Sequence, residues 1–260
     1  MTAAAGGAAG GAAGGAAGGA AERLSALLSD SALPWLTLTV LAYLAAVWLY
    51  RRSRNSPYLI PILPAVALVV SVLLLTGTPY PVYFRHVEGL YFLIGPATVA
   101  LAVPLYNQLG RIRQMWRPLG AALLVGSGAA IGSAVLVAWA LGGSLETIVS
   151  LAPKSASMPF AMPVAERLGG LASLAAVAVA ITGILGAVVA RPLLNALGIH
   201  DPAVRGFAVG LTAHAIGTAR ALQVNDTAGA FAALAMGLNG VATAVLVPLC
   251  IALLQWLDML

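Results

Sequence analysis

Residues 118–170 read PLGAALLVGSGAAIGSAVLVAWALGGSLETIVSLAPKSASMPFAMPVAERLGG. Positions 118–145 carry no charged residue, and a helix needs about 20 apolar residues to cross hydrocarbon. Gly126, Gly128 and Gly132 in that run allow close helix contact. The next part breaks the pattern. Residues 151–163, Leu-Ala-Pro-Lys-Ser-Ala-Ser-Met-Pro-Phe-Ala-Met-Pro, mix apolar side chains with prolines, hydroxyls and one lysine. Each half of the stretch is too short to span a bilayer. Irregular backbone at membrane depth survives only where protein buries it or where it lines a wet cavity. The segment therefore predicts a spanning helix followed by a broken or re-entrant element.

The rest of the chain supports lipid as the solvent. Of 260 residues, 61% are hydrophobic and 8% are charged. A soluble domain carries roughly 25% charged residues. Charges divide the chain into uncharged runs at 31–50, 55–84 (with a helix expected over 58–76), 89–110, 118–145, 168–190 and 227–257. A second irregular stretch lies between Asp201 and Asp226 and contains Gly-Leu-Thr-Ala-His-Ala-Ile-Gly-Thr-Ala-Arg, residues 210–220. The expectation is an all-α integral membrane protein, with six spanning helices and two broken or re-entrant elements in one membrane domain over 31–260. Residues 1–30 are expected to form a disordered tail, because 3–21 repeat Ala-Ala-Gly-Gly and cannot build a core. That tail lacks the charged and apolar regions of a signal peptide.

The net charge of +5 is carried by twelve arginines and a single lysine. Basic residues in a membrane protein report orientation rather than nucleic-acid binding. Arg51, Arg52 and Arg54 follow the first run, and Arg111, Arg113 and Arg117 follow the third, so both clusters are expected in the cytoplasm. Re-entry at 146–167 would put Arg191 and Arg205 there too; a full crossing would put them outside. The arginine bias favours re-entry. Cys250 excludes an internal disulfide and a Cys-rich metal site.

An offset of 60 residues aligns the two irregular stretches without a gap. Leu151 meets Leu211, Lys154 meets His214, Glu166 meets Asp226 and Gly169 meets Gly229. With re-entry, one span separates the units, so they would form an inverted repeat with two broken elements meeting near mid-depth.

Lys154 lies between Pro153 and Ser155 in apolar surroundings. A lysine near an interface snorkels to water; a cation at depth points to function. The functional reading makes Lys154 the anchor for an anion, with Ser155 and Ser157 as hydrogen-bonding hydroxyls. His214 would complete the site from the other repeat with Thr218, and its titration range suits proton coupling. Asn239, a polar group in the last apolar run, would face the same site or bond another helix. There is no phosphate-binding loop, no carboxylate pair at helical spacing and no His/Cys cluster, so neither an enzyme nor a metal or cofactor site is expected.

Six motifs carry a family resemblance: Gly-Pro-Ala-Thr-Val-Ala-Leu-Ala-Val-Pro-Leu (95–105), Pro-Lys-Ser (153–155), Ala-Glu-Arg-Leu-Gly-Gly (165–170), Thr-Gly-Ile-Leu-Gly-Ala-Val (182–188), His-Ala-Ile-Gly-Thr-Ala (214–219) and Leu-Ala-Met-Gly-Leu-Asn-Gly (234–240). In this order they resemble the LrgB/CidB family of bacterial membrane proteins, over about residues 34–257. The family pattern has threonines where this chain has Ser157 and Met158, and serine where it has Ala213.

The resemblance implies a multi-pass protein of the cytoplasmic (inner) membrane. Plastidial relatives exchange glycolate and glycerate, and bacterial members are linked to pyruvate movement. The expected activity is therefore secondary transport of small monocarboxylates. The alternative it implies is antiholin-like control of murein hydrolase export and cell lysis. Implied partners are a small LrgA/CidA-type membrane protein, a second copy of the chain and the lipid bilayer.

Overall fold

A computed structural model describes residues 31–53, 56 and 59–257. The expected tail at 1–30, Arg54 and the expected helix start at Tyr58 lie outside the described residues. Among the described residues the regular structure is helical, with no strand. The chain divides into two compact units, one ending at Ala97 and one beginning at Thr98.

The first unit contains α1 (Ala32–Arg52), α2 (Ile62–Thr76), α3 (Tyr80–Val87) and α4 (Gly89–Phe92). Ser31 caps α1 by accepting from the Leu33 amide, and Arg51 and Arg52 occupy its last turn, where cations suit the helix dipole. Trp35 is fully buried and packs edge-on against Tyr83, with centroids 5.6 Å apart. The Tyr83 hydroxyl lies 2.9 Å from the Thr39 hydroxyl.

The third expected span, 89–110, is not one helix. Its backbone forms α4, then α5 (Ile94–Ala100), α6 (Ala102–Asn107) and the start of α7 (Leu109–Gln114). Pro96 and Pro104 each sit in the first turn of a new short helix. That is where a missing amide hydrogen costs least, so proline starts helices there and interrupts the run. Among the described residues four helices are long and apolar enough to cross a membrane: α1, α8 (Trp116–Ala140), α11 (Ala172–Ala196) and α13 (Asp226–Trp256). The 15-residue α2 is apolar but shorter.

The faces of α11 display the solvent. Ala175, Val179, Gly183 and Ala187 form its buried stripe, while Val177, Ile181, Leu185 and Val189 are exposed and equally apolar. A helix facing water would carry polar residues on that outer stripe. Small residues inward and branched aliphatics outward are the arrangement for packing in lipid.

Between α8 and α11 the chain forms α9 (Leu145–Leu151), a loop over 152–157 and α10 (Met158–Arg167). The Leu171 amide donates to the Ser150 hydroxyl at 2.8 Å. Along a straight helix those residues would lie about 30 Å apart. The chain therefore turns back: this is a re-entrant hairpin. Gly169, at φ 82°, makes the turn after α10 in a conformation that favours glycine.

The second irregular stretch behaves likewise. Helix α12 (Pro202–Val224) has helical backbone except at His214, whose φ is 39° and ψ −128°. A Cβ on Gly217 would fall 2.7 Å from Cγ1 of Val209. In a straight helix those positions are about 12 Å apart. The two arms of α12 thus fold against each other. Gly206 and Gly210 lie against the carbonyls of Ala228 and Ala232 on α13, with no room for a side chain. This spacing of small residues is the close-packing signature of membrane helices.

Helices α8 and α13 run the same way. Leu119 packs with Phe231 at one end, and Ile131 and Val135 pack with Val247 at the other. The first hairpin enters and leaves at the end where α8 finishes. The second enters and leaves where α8 begins, close to Arg111, which pairs with Asp201 at 2.7 Å. Helix α11 connects the two ends. The two hairpin-plus-helix units therefore point in opposite directions, and α11 and α13 end at Ala196 and Trp256, in the 60-residue register.

Candidate functional site

The two hairpin tips converge on Asn239 of α13. Its Nδ2 donates to the carbonyl of Ser155 at 2.8 Å and to the carbonyl of Leu211 at 3.1 Å. Its Oδ1 accepts from the Ser127 hydroxyl of α8 at 2.7 Å. Both Asn239 and Ser127 are 1% exposed. The Leu211 carbonyl is the acceptor that residue 215 would use in an unbroken helix. A ψ of −128° at His214 turns the following amide about 90° from its helical direction. Asn239 bonds this carbonyl where the regular helix is interrupted.

Val179 of α11 plays the matching part. It is the residue that the 60-residue offset pairs with Asn239. Its side chain packs with Ala156 and Ala161 of the first hairpin. Its carbonyl accepts from Nε2 of His214 at 2.9 Å. Equivalent positions on the two spanning helices therefore each touch both hairpins. Gly183, one turn along α11, has no side chain to clash with the His214 ring.

His214 is 3% exposed. Because Nε2 must carry the hydrogen it gives to Val179, the neutral ring presents a lone pair at Nδ1. That atom has no hydrogen-bond partner among the described residues. Thr218, also buried, donates its hydroxyl to the His214 carbonyl at 2.7 Å. His214 and Val179 lie 35 positions apart, which excludes any local origin for the ring's position; tertiary packing fixes it.

Lys154 sits in the first tip, half-buried, with Nζ 3.4 Å from the Ser155 hydroxyl. Among the described residues no carboxylate pairs with it. Ser155 is buried and Ser157 half-buried. Ser157 precedes α10 as its N-cap without bonding a helix amide through its side chain. Its hydroxyl is thus not committed to capping.

The LrgB-like family profile matches residues 39–253, which include both hairpins, α8, α11 and all but the last turn of α13. The chain belongs to the LrgB-like family. It is 31% identical to a Haemophilus influenzae protein over 81% of this chain and 91% of that one. It is 36% identical to YxaC of Bacillus subtilis, over 78% of this chain and 88% of the relative. It is 26% identical to the antiholin-like protein LrgB of Bacillus mycoides, over 82% of this chain and 93% of that relative. No solved structure matches the chain.

In this LrgB-like chain the six residues singled out from sequence fall into two groups. Lys154, Ser155, Ser157 and His214 carry groups not consumed by helix packing. Asn239 and Thr218 are engaged: the Asn239 amide with three partners, and the Thr218 hydroxyl with a backbone carbonyl. Both side chains bond the backbone of the hairpin tips. Ser127 and Val179 were not evident from sequence alone. Ser127 reads as one more small residue between Gly126 and Gly128. The 60-residue offset points to Val179, as the partner of Asn239.

Proposed function

We propose that this LrgB-like protein is a secondary transporter of small organic anions, with monocarboxylates such as glycolate, glycerate or pyruvate as the substrate class. The observation that carries this reading is a lysine that no carboxylate among the described residues pairs with, at the tip of one hairpin, held against a second hairpin that presents a buried histidine. A cation in such surroundings is expensive unless a counter-ion joins it. The substrate carboxylate would fill that role at Lys154, with Ser155 and Ser157 donating hydrogen bonds. The lone pair at Nδ1 of His214 would accept from a donor on the solute or take up a coupled proton. Crossed re-entrant elements that meet between inverted units suit alternating access.

The arginine distribution supports an orientation. Arg111, Arg113, Arg117, Arg191 and Arg205 cluster toward the end where α8 begins, and the positive-inside trend puts that end in the cytoplasm. The cytoplasmic membrane is the location this reading requires.

The names of relatives favour a second reading. The Bacillus mycoides protein is named antiholin-like, so this chain would regulate murein hydrolase export and lysis, alongside a small LrgA-type membrane protein. Counterflow in proteoliposomes separates the two. Purified chain should exchange internal for external labelled glycolate, glycerate or pyruvate. Absence of exchange with every small monocarboxylate, together with altered lysis in cells lacking the chain, would favour the regulator.

A further inference from the structure

Each hairpin tip contains backbone that cannot satisfy itself. In the first, turns join Leu151 to Lys154 and Pro153 to Ala156, and the Ser155 carbonyl turns to Asn239. In the second, the kink at His214 diverts the Leu211 carbonyl to the same nitrogen. His214 is the one non-glycine residue with positive φ among the described residues. A β-carbon in that region is strained, and such conformations persist only where surroundings over-determine them. The cheapest relief would be to straighten α12, returning Leu211 to an ordinary helical bond and swinging the ring off Val179. Asn239 opposes that change by occupying the carbonyl. Its own freedom is removed by the Ser127 hydroxyl from α8.

We propose that Asn239 is a positioning residue that couples the two hairpins: while one amide nitrogen holds both carbonyls, neither tip changes conformation alone. Straightening at His214 takes Leu211 from one amide hydrogen and leaves that donor buried without an acceptor; the amide escapes that cost only by turning, which breaks its bond to Ser155. Rearrangement of the 152–157 loop has the mirror effect: the amide turns away and the kink loses its hold on Leu211. Ser127 fixes the amide's orientation, so both donors stay aimed at the two tips. The coupling rests on these contacts and is independent of which solute the protein carries.

The test is hydrogen–deuterium exchange of the full chain in proteoliposomes, read over residues 150–160 and 209–220. Thr218→Val removes the hydroxyl bond to the His214 carbonyl and perturbs only the second tip. With Asn239 intact, exchange should rise in both segments by a similar factor, on the order of tenfold. In an Asn239→Ala background, Thr218→Val should raise exchange further at 209–220 only. A rise confined to 209–220 with Asn239 intact would overturn the proposal. So would no change in either segment, because the kink would then not depend on the contacts that fix it. If Asn239→Ala does not fold, the single Thr218→Val variant still decides between concerted and independent tips.

Discussion

The first hairpin turns through six residues between α9 and α10, with prolines at 153 and 159; the second turns at one residue, His214, inside otherwise helical backbone. The two occupy the same register of the repeat and meet at the same asparagine. Yet the first is broken by its own sequence, since proline removes amide donors and excludes regular helix. The second contains no proline between Ala203 and Val224 and is broken by what surrounds it. Its kink needs Asn239, the Val179 carbonyl, the Thr218 hydroxyl and the space left by Gly183. The lesson is that matching positions in a repeat can share geometry without sharing its cause. The locally encoded tip carries the half-exposed cation, and the tertiary-encoded tip carries the buried histidine.

Removing the shared support should have the largest effect. Asn239→Ala leaves two buried carbonyls and the Ser127 hydroxyl without partners, and should lower stability by about 2–5 kcal/mol. Thermal unfolding in detergent should register a large fall in Tm, with Ser127→Ala costing less, about 1–2 kcal/mol. Gly210→Ala comes next. Its new methyl would meet the Ala232 carbonyl, so α12 and α13 must separate, at about 1–3 kcal/mol. Ser150→Gly, at the repeat partner of Gly210, removes the bond from the Leu171 amide, the bond to the Glu146 carbonyl and a helical side chain, and should cost about 1–2 kcal/mol.

The difference in cause between the two kinks gives a sharper contrast. His214→Gly relieves the positive φ and His214→Ala does not, so the glycine variant should be the more stable of the two by about 1 kcal/mol. Equal stability would mean that the kink is not strained. The smallest effect belongs to the rim. Desolvation is the largest single influence on Asp201 and raises its pKa. Amides of Ala203 and Val204 and the Arg111 guanidinium outweigh that and hold the carboxyl below its usual range. Its contribution is present above the ordinary aspartate range and is lost as pH falls through the lowered value. Both partners are well exposed, so Asp201→Asn should shift Tm only slightly near neutrality and remove a small part of the acid sensitivity.

Much of this arrangement was legible in sequence. Uncharged runs located α1, α8, α11 and α13, and arginine bias favoured the re-entry that the Ser150–Leu171 bond displays. The 60-residue offset matched Lys154 to His214 and anticipated inverted units. Hydropathy could not foresee that 89–110 breaks into short helices, because an apolar average conceals where proline restarts a helix. It could not foresee that Asn239 and Thr218 spend their hydrogen bonds on backbone. The partners of Asn239 lie on other elements, and the Thr218 bond is the one a helical threonine makes to the carbonyl four residues back, to which an average of hydropathy is blind. Ser127 was hidden for the same reason: a hydroxyl beside two glycines acquires meaning only when α8 is laid along α13.

The proposed transport requires both tips to form one anion site around Lys154. Uptake of labelled glycolate or pyruvate into proteoliposomes by Lys154→Ala, with Arg113→Ala as a basic-residue control, tests it most directly. Lys154→Ala should abolish uptake, with the folded protein recovered in normal yield, while Arg113→Ala should transport as the parent does. Undiminished uptake by Lys154→Ala would contradict it.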